Sequence, residues 1–174
     1  MTDSRIQRLV AEVLFPLIGV FAWDWSFDFI CWFYAIDVFL NALVGMLRHR
    51  NHRDVLGLVL PWFELILVFT LLVLSGNGIW ISFKNFLAYE DMGLAQGYIL
   101  IPLILLNEWL RWKLEQRTRL LVFTSNNAHL YKICGFALTG VLLPFVHDLF
   151  MVSLIFLGVL TAVNLMSKPI ITTK

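Results

Sequence analysis

Charge is what this chain has least of. Only 14% of its 174 residues are Asp, Glu, Lys or Arg, against roughly 25% in soluble domains, so water is not the solvent for most of it. Cysteine is scarce too: Cys31 and Cys134 stand alone inside apolar runs. Without a C-x-x-C pair there is no basis for a disulfide framework, a zinc knuckle or thiol exchange, and each cysteine reads as a small buried apolar residue. Also missing are G-x-S-x-G, a Walker loop, H-E-x-x-H and any Ser/His/Asp set at a common depth, the arrangements that nucleophilic, phosphate-binding and zinc chemistry require. No residue is therefore named as catalytic, no cofactor is expected, and nothing argues for an enzyme. The four histidines, His49, His52, His129 and His147, fall outside the middles of the apolar runs, which disfavours haem held between helices. The basic clusters are short, which disfavours nucleic acid as a partner.

Apolar side chains fill the space that charge leaves. Hydrophobic residues make up 60% of the chain and aromatics 15%, with a mean hydropathy of +0.81. Since a helix rises about 1.5 Å per residue, about 20 apolar residues cross a hydrocarbon core of about 30 Å. Runs of this kind recur from end to end, with no internal repeat, low-complexity tract or long linker. The reading is one transmembrane domain over residues 1–174: an all-α bundle of about six spans, at about 9–23, 27–47, 55–74, 96–110, 130–145 and 149–166. The first is short and contains Glu12 and Pro16, but Arg8 can snorkel and the tryptophans of WDW suit a headgroup belt. The run from Leu130 to Met166 is too long for one crossing and must turn back near Pro144 to Asp148.

Six spans with the N-terminus inside place twelve of the thirteen Lys and Arg residues at one face, leaving Lys84 alone at the other. That asymmetry is the positive-inside pattern, and it predicts both termini cytoplasmic in a plasma or inner membrane. Arg48, Arg50, Arg53, Arg111 and Lys113 then become candidate lipid-headgroup contacts. Between the third and fourth spans, Trp80, Phe83 and Leu87 repeat at helical spacing apart from Lys84, Glu90 and Asp91, which predicts an amphipathic helix on the outer surface. Trp23, Trp25 and Trp80 belong at the outer headgroup level in this scheme and Trp112 at the inner one. EWLRWKLEQRTR extends the fourth helix inward, and TSNNAH breaks it.

Two carboxyls interrupt the second and third spans near their middles. Asp37 and Glu64 stand nearly symmetrically about the loop RHRNHR, so an antiparallel pair joined by a short turn brings them to the same depth. A carboxylate there costs at least about 2.5–3.5 kcal/mol on insertion scales, and two adjacent anions cannot both ionise cheaply. They share a proton, hold a cation, or hydrogen-bond across helices as glue. Asn41, one turn from Asp37, and Asn107 from the fourth span are the other oxygen-bearing candidates, and the identity of any metal is open.

Two functional classes follow. Small size, short loops, seven Trp and fifteen Phe fit a non-catalytic subunit or accessory factor of a larger membrane complex, with the lipid bilayer and other membrane subunits, or further copies of itself, as partners. The alternative is a small oligomeric transporter or channel that binds a proton or cation at Asp37 and Glu64. Whether those groups line a wet cavity or are closed between helices discriminates the two.

Overall fold

From Phe27 to Ala35 every residue is buried, on all sides of the helix that carries them. In the computed structural model, which describes residues 13–48, 55–91, 94–118, 120–123, 126–146, 148–166 and 170–173, that helix is the axis of a helical fold. The seven helices among the described residues are α1 (Phe15–Ala22), α2 (Phe27–Arg48), α3 (Val55–Leu74), α4 (Ile79–Leu87), α5 (Gln96–Thr118), α6 (Asn126–Leu142) and α7 (Leu149–Met166). α2 touches α3, α4, α5 and α7, while α6 packs along α3 and α7.

Local chemistry sets the boundaries. α1 carries a proline in its first turn, where the missing N–H costs nothing. It closes where the N–H groups of Trp23 and Trp25 both reach the Gly19 carbonyl, at 3.1 and 3.0 Å. The Trp25 ring then lies on Gly19 so closely that a Cβ at that position would collide with it. α2 opens at Ser26, whose Oγ accepts from the Phe29 N–H at 3.2 Å, a side-chain cap for a backbone donor that lacks a helical partner. After α3 the chain turns through Gly76 and Gly78, at φ 89° and 70°, a left-handed conformation that glycine adopts without strain. α4 leaves at 96° to α3. α6 and α7 form a hairpin across residues 143–148, where the Phe150 N–H donates to Asp148 Oδ1 at 2.9 Å.

Two short antiparallel ribbons are additions to the expected all-α fold. Glu90–Asp91 (β1) pairs with Leu94–Ala95 (β2), and Leu120–Phe123 (β3) pairs with Ile170–Thr173 (β4). β-Branched and aliphatic residues in both β3 and β4 suit a pleated pair, and the ribbon ties the end of α5 to the end of the chain.

Among the described residues no single helix is long and apolar enough to cross a membrane. One bent pair, Val59–Leu74 with Ile79–Leu87, reaches that length and composition together; shorter apolar helices cover Gln96–Asn107, His129–Leu142 and Leu149–Val163. Residues 9–12 of the expected first span lie outside the described residues.

Unlike a soluble helix, α3 is apolar on both its faces, and its one acid lies on the enclosed side. Its enclosed face carries Leu60, Pro61, Glu64, Leu65, Val68, Leu71 and Leu72, while Leu56, Val59, Phe63, Ile66 and Val73 point outward. Phe63 is 54% and Ile66 59% exposed, yet Glu64 between them is 1% exposed. The same holds on α5, with Leu103, Leu105 and Leu106 outside, and on α6, where Lys132 and Thr139 are buried while Leu138 and Val141 are exposed.

Candidate functional site

Glu64 points inward because it shares the enclosed face of α3 with Leu60, Pro61, Leu65, Val68, Leu71 and Leu72. α6, packed alongside, presents His129 and, one turn further, Lys132 on a common face, as i,i+3 spacing requires. His129 Nδ1 and Glu64 Oε1 are in direct hydrogen-bond contact. One proton between the two atoms satisfies both, whichever of them carries it, and imidazole and carboxyl are then each partnered in a region of low dielectric. The Glu64 side chain is 1% exposed and that of His129 14%. The carboxyl is therefore enclosed, and the imidazole edge is its nearest approach to the surroundings.

A third helix completes the neighbourhood. Lys132 is 6% exposed, and its Nζ stands 5.3 Å from the centre of the Tyr34 ring on α2, a cation over an aromatic face. Tyr34 itself packs edge-on against Phe136 of α6 and Phe156 of α7. Three helices thus meet around one acid, one imidazole, one ammonium and one phenol, walled by stacked phenylalanines.

Matched depth points to Asp37 as the partner of Glu64; the structure places His129 on the Glu64 carboxyl. Matched depth counts Asp37 and Glu64 from the loop RHRNHR between them and leaves His129 just outside the fifth span. α6 instead begins at Asn126, so His129 is helical and is carried onto α3. The signal that finds it is the His129/Lys132 pair at i,i+3, the two basic residues of this helix. Asp37 is half-buried on α2, and Asn41 donates Nδ2–H to the Asp37 backbone carbonyl at 2.9 Å, within its own helix. Asn107 is half-buried on α5.

The other sequence candidates divide similarly. Lys113 is exposed, with Nζ 4.5 Å from the Trp109 ring centre. Arg50 and Arg53 lie outside the described residues, as do the side chains of Arg48, Arg111 and Trp112. Cys31 is buried as anticipated, but Cys134 is exposed, because it sits on the outward face of α6, off the line of Lys132 and Phe136. Trp80 is 67% exposed, whereas Trp25 is 4% exposed. The Trp25 indole is enclosed by Phe15, Trp23, Phe29 and Phe33, and its N–H donates to Gln96 Oε1 at 2.5 Å. Among the described residues no three His, Cys, Asp or Glu side chains are grouped to hold a metal ion.

Compared with known proteins, the chain matches no family model, no curated protein and no solved structure.

Proposed function

We propose that this chain is a polytopic membrane protein of about six spans, with both termini cytoplasmic, that serves as a non-catalytic subunit or accessory factor of a larger membrane complex. The observation that carries the reading is the apolar outer surface: Phe63, Ile66, Leu103, Leu106, Leu138 and Val141 face out while Glu64 and Lys132 face in. In water such a surface loses about 25 cal/mol for every Å² of apolar area left uncovered. In hydrocarbon it costs nothing, and the polar groups belong inside.

Hydroxyl chemistry supports the same solvent. Thr70, on the outward face of α3, donates back to the Ile66 carbonyl at 2.9 Å; Thr139, Ser153 and Thr161 do likewise, to Gly135, Leu149 and Leu157. Each hydroxyl is satisfied within its own helix, as required where no water can serve. By rise alone the 22 residues of α2 reach about 33 Å, and its carboxyl and amide groups, Asp28, Asp37 and Asn41, lie on buried or half-buried positions. The shorter helices need a locally thinned bilayer or neighbouring subunits.

Enclosure of Glu64 favours the subunit over the transporter, because a carboxyl closed between helices and tied to an imidazole works as interhelical glue. The test is purification of the tagged full chain in mild detergent. Stoichiometric partner polypeptides are the expected result, and a monodisperse preparation of this chain alone would overturn the subunit reading. Reporter fusions at Asn51 and Gln116 should read cytoplasmic and one at Asn85 external; an external signal from Asn51 would reverse the orientation.

The second reading, a small oligomeric transporter or channel, is favoured by one observation: Glu64 meets a base whose ring is partly open. Purified chain in proteoliposomes then carries a proton or cation flux that Glu64→Gln abolishes. The subunit reading predicts no such flux.

A further inference from the structure

We infer that the outward face of α4 is a lipid-contacting surface that lies in the headgroup region of the bilayer; this rests on the membrane reading above and adds a defined partner for one helix. α4 is fixed from beneath. The Trp32 indole N–H donates to Ser82 Oγ at 3.0 Å, Phe86 sits 4.7 Å from Phe29, and Phe83 sits 4.7 Å from Trp32, ring centre to ring centre. The helix cannot roll without breaking these contacts, so the residues on its other side are held outward. They are Trp80, 67% exposed, Ile81, 60% exposed, and the exposed Lys84 and Asn85.

Two features select the headgroup region over hydrocarbon or a dry protein groove. First, α4 leaves α3 at 96°, so if α3 runs along the bilayer normal, α4 lies in the plane of the surface. It follows the exposed apolar end of α3 at Val73 and Leu74 after the four-residue turn 75–78. Second, the outward face is mixed. Lys84 falls between Trp80 and Ile81 on the helical wheel, and its Nζ stands over the Trp80 ring, 5.7 Å from the ring centre. An indole, an aliphatic side chain and a snorkelling lysine together suit a layer that is apolar on one side and hydrated and phosphate-bearing on the other. A dry apolar groove with no acceptor of its own would leave the ammonium unpaired.

The test uses the full chain with exposed Cys134 changed to Ala. A nitroxide is attached at Ile81→Cys, or at Ile66→Cys on α3 as reference, in vesicles of phosphatidylethanolamine and phosphatidylglycerol. Collision rates with oxygen, which concentrates in lipid, are compared with those of a water-soluble nickel chelate. At position 81 oxygen should dominate, at a depth shallower than position 66. Dominance of the nickel chelate at 81 with oxygen dominant at 66 would overturn the inference and leave the bundle standing. Shielding of position 81 from both reagents would overturn it in favour of a protein partner. Nickel dominance at both positions would overturn the membrane reading itself.

Discussion

Two regions of the same bundle are held by different chemistry. Around the start of α2, the α1–α2 connection, α4 and the first turn of α5 are joined by aromatic rings and neutral donors. Trp25 bonds Gln96, Trp32 bonds Ser82, and the Tyr89 hydroxyl lies 2.7 and 2.8 Å from the carbonyls of Trp23 and Asp24. Where α3 meets α6, an ionisable pair, Glu64 and His129, does the joining, with Lys132 one turn away. Neutral hydrogen bonds and packed rings give a rigid platform whose strength is set by shape. A buried acid–base pair gives a joint whose strength depends on both partners being present, since each alone is a polar group without water.

The largest expected effect tests the aromatic region. Phe29, 2% exposed, stacks within 4.4–5.0 Å of Trp25, Phe86 and Tyr89, and Phe29→Ala should cost about 3–5 kcal/mol by the cavity it leaves. Thermal unfolding in detergent measures this, and a loss below about 1 kcal/mol would mean the rings are not the platform. Next, His129→Leu strands the Glu64 carboxyl and should cost about 3 kcal/mol, the low end for a broken buried pair because the imidazole is partly open. Trp32→Phe, which removes the donor to Ser82 and shrinks the buried indole to a phenyl, should cost about 2 kcal/mol. Glu64→Gln is the sharpening case. An amide still bonds the imidazole, so the change should stay under about 1 kcal/mol; a loss equal to that of His129→Leu would show that the charge, not the hydrogen bond, holds α3 to α6.

Much of the helical pattern was legible because polar turns bound the apolar runs: RHRNHR precedes α3, SGNG follows it, and PFVHD splits α6 from α7. The apolar runs at 55–74 and 149–166 coincide with the helices α3 and α7. The β3–β4 ribbon was not legible, since LLVF and IITT are far apart in sequence and a pairing that distant leaves no local signature. The seat of Trp25 was not legible for a related reason: the bare Cα of Gly19 receives its ring, and only the fold reveals that fit. At the site, a carboxyl within the apolar run of α3 marks Glu64 as an interior group. Its partner was obscured because helix start, not span start, sets where a side chain projects, and the TSNNAH break concealed that α6 begins three residues before His129.

The smallest expected effect is on the outer surface. Lys113→Ala, at an exposed site over Trp109, should shift stability by no more than about 0.5 kcal/mol in detergent, and a larger loss would mean that this cation does more than rest on a ring.

The bundle stands as a membrane protein only if lipid, not water, faces Phe63, Ile66 and Leu106. The direct measurement is to wash membranes from cells expressing the full chain with alkaline carbonate and then partition them with a cloud-point detergent. The chain should stay in the pellet through the wash and enter the detergent phase. Release into the carbonate supernatant together with partition into the aqueous phase would contradict the account, because an exterior of that composition would then have to be covered by protein alone.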